Sequence, residues 1–193
     1  MQQIKLKRGL DIPFEGVAAK TLGSVNRPQV YHIVPDHFAG VTPKLMVHVG
    51  DSVKAGSPLF HDKAFEQMLF TSPVSGKVVA IVRGDRRKVM SIDIEADASI
   101  AYETFDVKQD VKSLLLQSGL WCLIKQRPYD CIAMPTKQPK AVFISTFDSA
   151  PVAPDYEWML KGHLAELQAA VSALSTIAPV YVGIRGGAKA MEF

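Results

Sequence analysis

Ten glycines and prolines fall between Pro28 and Gly84, and they divide this stretch into runs too short for ordinary helices. The runs between them are rich in β-branched and aromatic residues: Val30 to Val34, Leu45 to Val49, Pro58 to Phe60, Met68 to Thr71 and Lys77 to Val82, with Lys88 to Ile94 just beyond. Short apolar runs bounded by turn residues predict strands of a small sandwich or barrel, not an alternation of strands and covering helices. The breaks are Gly50-Asp51, Ala55-Gly56-Ser57, Ser72 to Gly76 and Arg83-Gly84-Asp85.

The pattern changes near Asp106. From Val111 to Lys125 the apolar residues Leu114, Leu115, Trp121 and Ile124 recur at helical spacing; Gly119 is placed to kink or divide the segment, and Pro128 forbids its continuation. Ala141 to Ser145 is a short apolar run of the kind buried on both faces of a parallel sheet. Asp148 to Asp155 reads as a loop ending at a helix N-cap. Leu160, Leu164, Leu167, Val171 and Leu174 then form one stripe of a helix expected from Tyr156 to Ser175. Val180 to Ile184 completes a strand–helix–strand unit, whose crossover should be right-handed and parallel. Two strands and one helix cannot bury both sheet faces, so the chain is expected to be the N-terminal piece of a longer protein. The predicted division is 1–107, an all-β domain; 108–136, a helical connection; and 137–193, a partial α/β domain.

Composition narrows the function. Of the 193 residues, 48% are hydrophobic and 21% charged, with a net charge of +3, which excludes a globally disordered chain and a strongly basic nucleic-acid binder. No apolar run approaches the roughly 20 residues of a membrane span, and the N-terminus lacks the apolar core of a secretory leader. A soluble, unexported chain that could still sit on a membrane complex is expected. Cys122 and Cys131 stand nine residues apart without a CxxC pair, and are expected as reduced thiols. The five histidines are scattered singly, so no metal site is predicted. No Ser-His-Asp, Cys-His or paired-carboxylate set can be assembled, and no catalytic residue is assigned.

Two motifs carry the most information: Gly50-Asp51-Ser52-Val53-Lys54-Ala55-Gly56-Ser57-Pro58-Leu59, and Thr71-Ser72-Pro73-Val74-Ser75-Gly76-Lys77-Val78. Together they resemble the two halves of the biotinyl/lipoyl-like hammerhead, or barrel-sandwich hybrid. Carrier domains of that fold display a modifiable lysine flanked by methionines. Here Lys63 is present without Met-Lys-Met, so the hammerhead reads as scaffold.

The flanking sequences sharpen the resemblance. Lys7 to Gly16 (KRGLDIPFEG), the hammerhead pair, Ile81 to Arg87 (IVRGDRR), and Gln117 to Trp121 (QSGLW) through Arg127-Pro128-Tyr129 follow in this order. The whole chain thereby resembles the NqrA family, the first-named component of bacterial sodium-translocating NADH:quinone oxidoreductases, whose members are more than twice as long. The resemblance implies an α/β (α+β) chain: a barrel-sandwich hybrid followed by a truncated Rossmann-like βαβ half. It also implies an accessory, peripheral subunit on the cytoplasmic face of the bacterial inner membrane. The other subunits of the sodium-pumping quinone reductase are its implied partners. FMN, FAD, the 2Fe-2S centre and NADH are expected on those subunits, with no cofactor on this chain beyond a role in handling ubiquinone. Two other readings stay open: a biotinyl/lipoyl-like carrier or adaptor, and an Rnf-type nucleotide-binding electron-transfer protein. Against the latter, residues 114–130 carry a single glycine and the bulky Trp121, where a phosphate would need close backbone approach.

A quinone site needs an apolar slot with one or two donors. Trp121, Arg127 and Tyr129 offer that combination beside a proline turn, and Tyr31 with His32 offers a second. Gly183, Gly186 and Gly187 follow a strand at the place of a phosphate-binding turn, although their spacing is not GxGxxG. Arg83, Arg86, Arg87 and Lys88 concentrate charge between two strands, as a solvated tip or as a dock for an acidic surface or lipid head groups.

Overall fold

The structure is a computed structural model that describes residues 14–184. Its contacts divide the chain into two compact units, Val25–Pro139 and the combination of Met1–Ser24 with Lys140–Phe193.

The first unit is the expected sandwich. Strand β1 (Val30–Ile33), β2 (Pro43–Leu45), β3 (Ser52–Val53), β4 (Pro58–Asp62), β5 (Leu69–Thr71), β6 (Gly76–Arg83) and β7 (Val89–Ala96) form two antiparallel sheets, ordered β1-β7-β6-β3 and β2-β4-β5. The period-two alternation of a half-buried strand sorts the side chains. Val78, Ile92 and Ile94 are fully buried, while Lys77 and Val79 face out. From the other sheet come Leu59, Phe60 and Phe70, with the Phe60 and Phe70 rings stacked at 4.6 Å and Phe38 set edge-on to Phe70 at 4.7 Å. Gly76 is required where it stands, because a Cβ there would lie 2.0 Å from the Glu95 carbonyl oxygen across the β6–β7 pair.

The strand expected at Leu45 to Val49 lies earlier, at β2, and its continuation is held by the Met46 amide on the Leu59 carbonyl at 2.9 Å. The helix expected from Val111 to Lys125 is divided as Gly119 foretold. Helix α1 (Val111–Gln117) is capped by Asp110, whose carboxylate accepts from the Ser113 amide at 3.0 Å. Gly119 takes φ 77°, and a 3-10 turn over Leu120–Leu123 leads into the small hairpin of β8 (Lys125–Gln126) and β9 (Cys131–Ile132). Thr71 donates to the Ser118 carbonyl at 3.2 Å, which ties this turn to β5 inside the same unit.

The second unit holds β10 (Val142–Ser145) and β11 (Val180–Gly183), paired in parallel from Val142↔Val180 to Ser145↔Gly183. The helix expected from Tyr156 to Ser175 is two: α2 (Tyr156–Met159) and α3 (Leu164–Ser175). Gly162, at φ +89°, interrupts the stripe in a left-handed conformation that a helix cannot contain. Burial on both faces is also not realised. Phe143 is 78% exposed and Tyr181 56%, their rings stacked on each other at 5.3 Å, while Val142, Ile144, Val180 and Val182 are half-buried. The burial alternates because a two-strand sheet with one crossover helix has a cover for only one of its faces.

Candidate functional site

The residues proposed for a quinone slot occupy different environments. Trp121 is buried, and its indole Nε1 donates to the Ala133 carbonyl at 2.7 Å, beside β9. The Lys112 ammonium lies 6.0 Å from the centre of its ring. Tyr129 is 75% exposed, and Arg127 reaches Asp130 at 3.4 Å in the exposed turn between β8 and β9. The tryptophan thus anchors the base of this hairpin, and the two donors stand at its tip. Tyr31 and His32 are successive residues of one strand, so they point to opposite faces. His32 pairs with Asp93 at 2.8 Å, whereas Tyr31 is registered against the fully buried Ile94. Burial tends to raise the Asp93 carboxyl, but the hydrogen bonds from His32 and Ser91 outweigh it and leave the group below the usual aspartate range.

Lys63 begins the connection from β4 to β5, with its amide donating to the Thr42 carbonyl at 2.9 Å. Its neighbours His61 and Asp62 are buried, and Asp62 accepts from the Thr42 amide at 3.0 Å. Cys122 and Cys131 are separate thiols. Burial raises the Cys122 thiol above the ordinary range, and its Sγ donates to the Gly119 carbonyl at 3.1 Å.

Gly183 ends β11, and its carbonyl accepts from both the amide and the hydroxyl of Thr146 at 3.0 Å. Gly186 and Gly187 lie outside the described residues, as does the stretch from Lys7 to Pro13.

The second unit contains a groove the sequence did not suggest. It has a volume of about 590 Å³ and lies at the carboxyl end of β10, the end of a parallel strand where α/β folds place their ligands. It is lined by Thr146, the loop from Phe147 to Asp155, the first residues of α2 and the extended segment from Gly16 to Lys20. Lys20 and Asp155 meet at 2.6 Å, joining the extended segment to the loop. Asp155 also caps α2, accepting from the Trp158 amide at 3.1 Å. The Lys20 hydrogen bond and the Trp158 amide hold its carboxyl below the usual aspartate range. Asp148 accepts from the Ala150 amide at 2.8 Å, and Val152 takes φ 52°, so the loop is fixed by its own backbone. One ammonium, Lys20, and three acidic residues, Asp148, Asp155 and Glu157, line the groove. Such a lining suits a polar or cationic group better than a phosphate. Among the described residues, no three His, Cys, Asp or Glu side chains converge to hold a metal ion.

Comparison with known proteins gives the chain its family. The family model of the NqrA N-terminal barrel-sandwich hybrid domain matches residues 4–97, and that of the NqrA second alpha/beta domain matches residues 107–192. The chain belongs to the NqrA family. The sandwich is accordingly a barrel-sandwich hybrid, and the parallel pair belongs to the second α/β domain. Relatives named for the NqrA component of Na(+)-translocating NADH-quinone reductase include that of Yersinia pseudotuberculosis serotype O:1b, 37% identical over 163 residues, covering 79% of this chain and 36% of the relative. The Serratia proteamaculans protein is 32% identical over 187 residues, covering 90% and 41%. That of Haemophilus influenzae strain PittGG is 31% identical over 185 residues, covering 91% and 41%. The chain therefore spans about two fifths of the length of these NqrA relatives or less.

The NqrA match adds no role for the groove. Asp155 was legible as an N-cap, but nothing local marks Lys20 as its partner, since the two are 135 positions apart.

Proposed function

We propose that this chain acts as the first two domains of an NqrA protein, in a membrane complex that couples NADH oxidation and quinone reduction to sodium export. The observation that supports this most directly is the match of both NqrA domains, in order, over residues 4–97 and 107–192. In this reading the chain is an accessory component on the cytoplasmic face of the inner membrane. It holds no catalytic centre of its own, and the flavins, the iron–sulfur centre and NADH are bound by its partners. Among the described residues, no helix is long and apolar enough to cross a membrane.

A contribution to quinone binding belongs to the same proposal. Its support is narrower: Arg127 and Tyr129 expose a donor and an aromatic ring at the β8–β9 turn, above the hairpin base that Trp121 secures. The test is deletion of the encoding gene in a strain with one such pump, followed by assay of sodium-stimulated, quinone-dependent NADH oxidation in membranes. Loss restored by the gene is the expected result; unchanged activity would remove the proposal. A quinone role would show as a raised KM for quinone in Arg127→Gln and Tyr129→Phe with assembly intact.

A further inference from the structure

We propose that the tip of the β6–β7 hairpin docks on the surface of an anionic phospholipid bilayer. Every residue from Val82 to Lys88 is exposed. The pairing of β7 with β1 ends at Ile33↔Ile92, and β3 pairs only with Gly76 and Lys77 of β6. Within the sheet the last residues of the two strands are therefore paired with each other alone and form a ribbon, flanked by the 3-10 turn Pro35–His37 beside β7 and by the segment from Leu45 to Val49 beside Ile81 and Arg83. Arg83, Arg86, Arg87 and Lys88 sit on it, against the carboxylates of Asp85 and Asp36. Lys88 is engaged by Asp36 at 2.5 Å. Among the described residues, Arg83, Arg86 and Arg87 have no carboxylate partner. Arg83 instead donates to the Arg87 carbonyl at 3.2 Å, bracing the turn from within.

Arg86 and Arg87 take φ 54° and 62°, a conformation that glycine or asparagine would occupy more readily. Left-handed positions filled by bulky cations favour a role for the side chains themselves. Guanidinium groups suit phosphate oxygens, which they meet in a bidentate manner.

Apolar side chains flank the cations. Val82 is 45% exposed and Met90 42%. Beside Arg83 lies an open groove of about 330 Å³ lined by Leu45, Val47, His48, Val49 and Ile81, of which Val47 is buried and His48 and Val49 are exposed. Cations edged by exposed apolar side chains match the boundary between head groups and acyl chains. A narrow tip also offers little of the roughly 800 Å² per partner that a stable protein–protein interface buries. The choice of a bilayer over an acidic protein rests in part on the reading above, in which the chain works at a membrane.

The test is co-sedimentation of the whole chain with vesicles of phosphatidylcholine alone and of phosphatidylcholine with one quarter phosphatidylglycerol. Binding is expected to the anionic vesicles only, and to weaken as salt screens the charges. Each basic side chain near such a surface changes partitioning about fivefold, so R83Q/R86Q/R87Q should lose roughly a hundredfold. Asp85→Asn should gain about fivefold, a direction that misfolding cannot imitate. The proposal is overturned if the wild type ignores anionic vesicles, or if the triple variant binds them as well as the wild type does. It also falls if that variant keeps its vesicle binding but no longer assembles with the other subunits, which would assign the tip to an acidic protein surface. Vesicle binding is read without other subunits, so failure of the pump assignment would show separately, in the gene-deletion assay.

Discussion

The two units handle their apolar residues in opposite ways. Within Val25–Pro139 the strands face each other across a closed interior, and every buried apolar residue of the described chain except Ala178 lies there. In the second unit α3 has no buried residue, and Phe143 and Tyr181 stack on each other on an open sheet face. The difference follows from strand arrangement. Antiparallel hairpins close a sandwich from neighbouring segments, whereas a parallel pair needs a cover on each face and α3 supplies one. The sandwich is self-sufficient in its core; the α/β unit leaves the face of Phe143 and Tyr181 exposed among the described residues.

Matched truncations test this most severely. Phe60→Ala removes a fully buried ring and its stacking on Phe70, and should destabilise the sandwich by about 3–5 kcal/mol in urea unfolding. Phe143→Ala, at the centre of the open face, should change stability by no more than about 0.5 kcal/mol. An equal loss from both would mean that the Phe143 face is covered in solution, and the contrast between the units would disappear.

Glycine replacements provide a second matched pair. Gly76→Ala drives a Cβ against the Glu95 carbonyl and should cost about 1–3 kcal/mol, as overpacking does. At Gly183 the nearest atom, the Ile144 carbonyl oxygen, would stand at an ordinary 3.7 Å, so Gly183→Ala should be close to neutral by thermal unfolding. A large loss at Gly183 would show that the end of β11 is more crowded than the comparison holds.

The sandwich was legible in sequence because its information is local. Gly50, Gly56, Pro58, Pro73 and Gly76 mark turns beside the strands they delimit, and the alternation around Val78 and Ile92 needs no knowledge of distant residues. The break at Gly119 could be read for the same reason. The division of α2 from α3 was harder, since the leucine stripe runs through Gly162 without losing phase and only the backbone conformation reveals the interruption. Least legible was the groove, which depends on Lys20 meeting Asp155, a pairing made by tertiary structure alone. The expected quinone slot shows the same limit: sequence proximity placed Trp121 with Arg127 and Tyr129, but burial separates the first from the other two.

That separation leads to a smaller prediction. Trp121→Phe keeps most of the buried ring but leaves the Ala133 carbonyl without its donor, and should cost about 1–2 kcal/mol. Tyr129→Phe at the exposed tip should leave the unfolding midpoint unchanged. Equal sensitivity would place the tip of the β8–β9 turn in the core as well.

The smallest effect concerns the ion pair across the groove. Lys20 and the Trp158 amide together favour the ionised form of Asp155, so the carboxyl titrates below its unfolded value. The sign is that of a depressed acid: its stabilisation is present above the ordinary aspartate range and is lost as pH falls through the folded value. Lys20→Gln should move the titration of Asp155, followed through its carboxyl carbon by NMR, upward toward the ordinary range. A residual depression should remain, because the Trp158 amide still donates. Asp155→Asn removes the charge but keeps an N-cap side chain, so α2 should persist, whereas Asp155→Ala should fray it. An Asp155 titration unmoved by Lys20→Gln would mean that the extended segment carrying Lys20 does not hold the groove wall in solution.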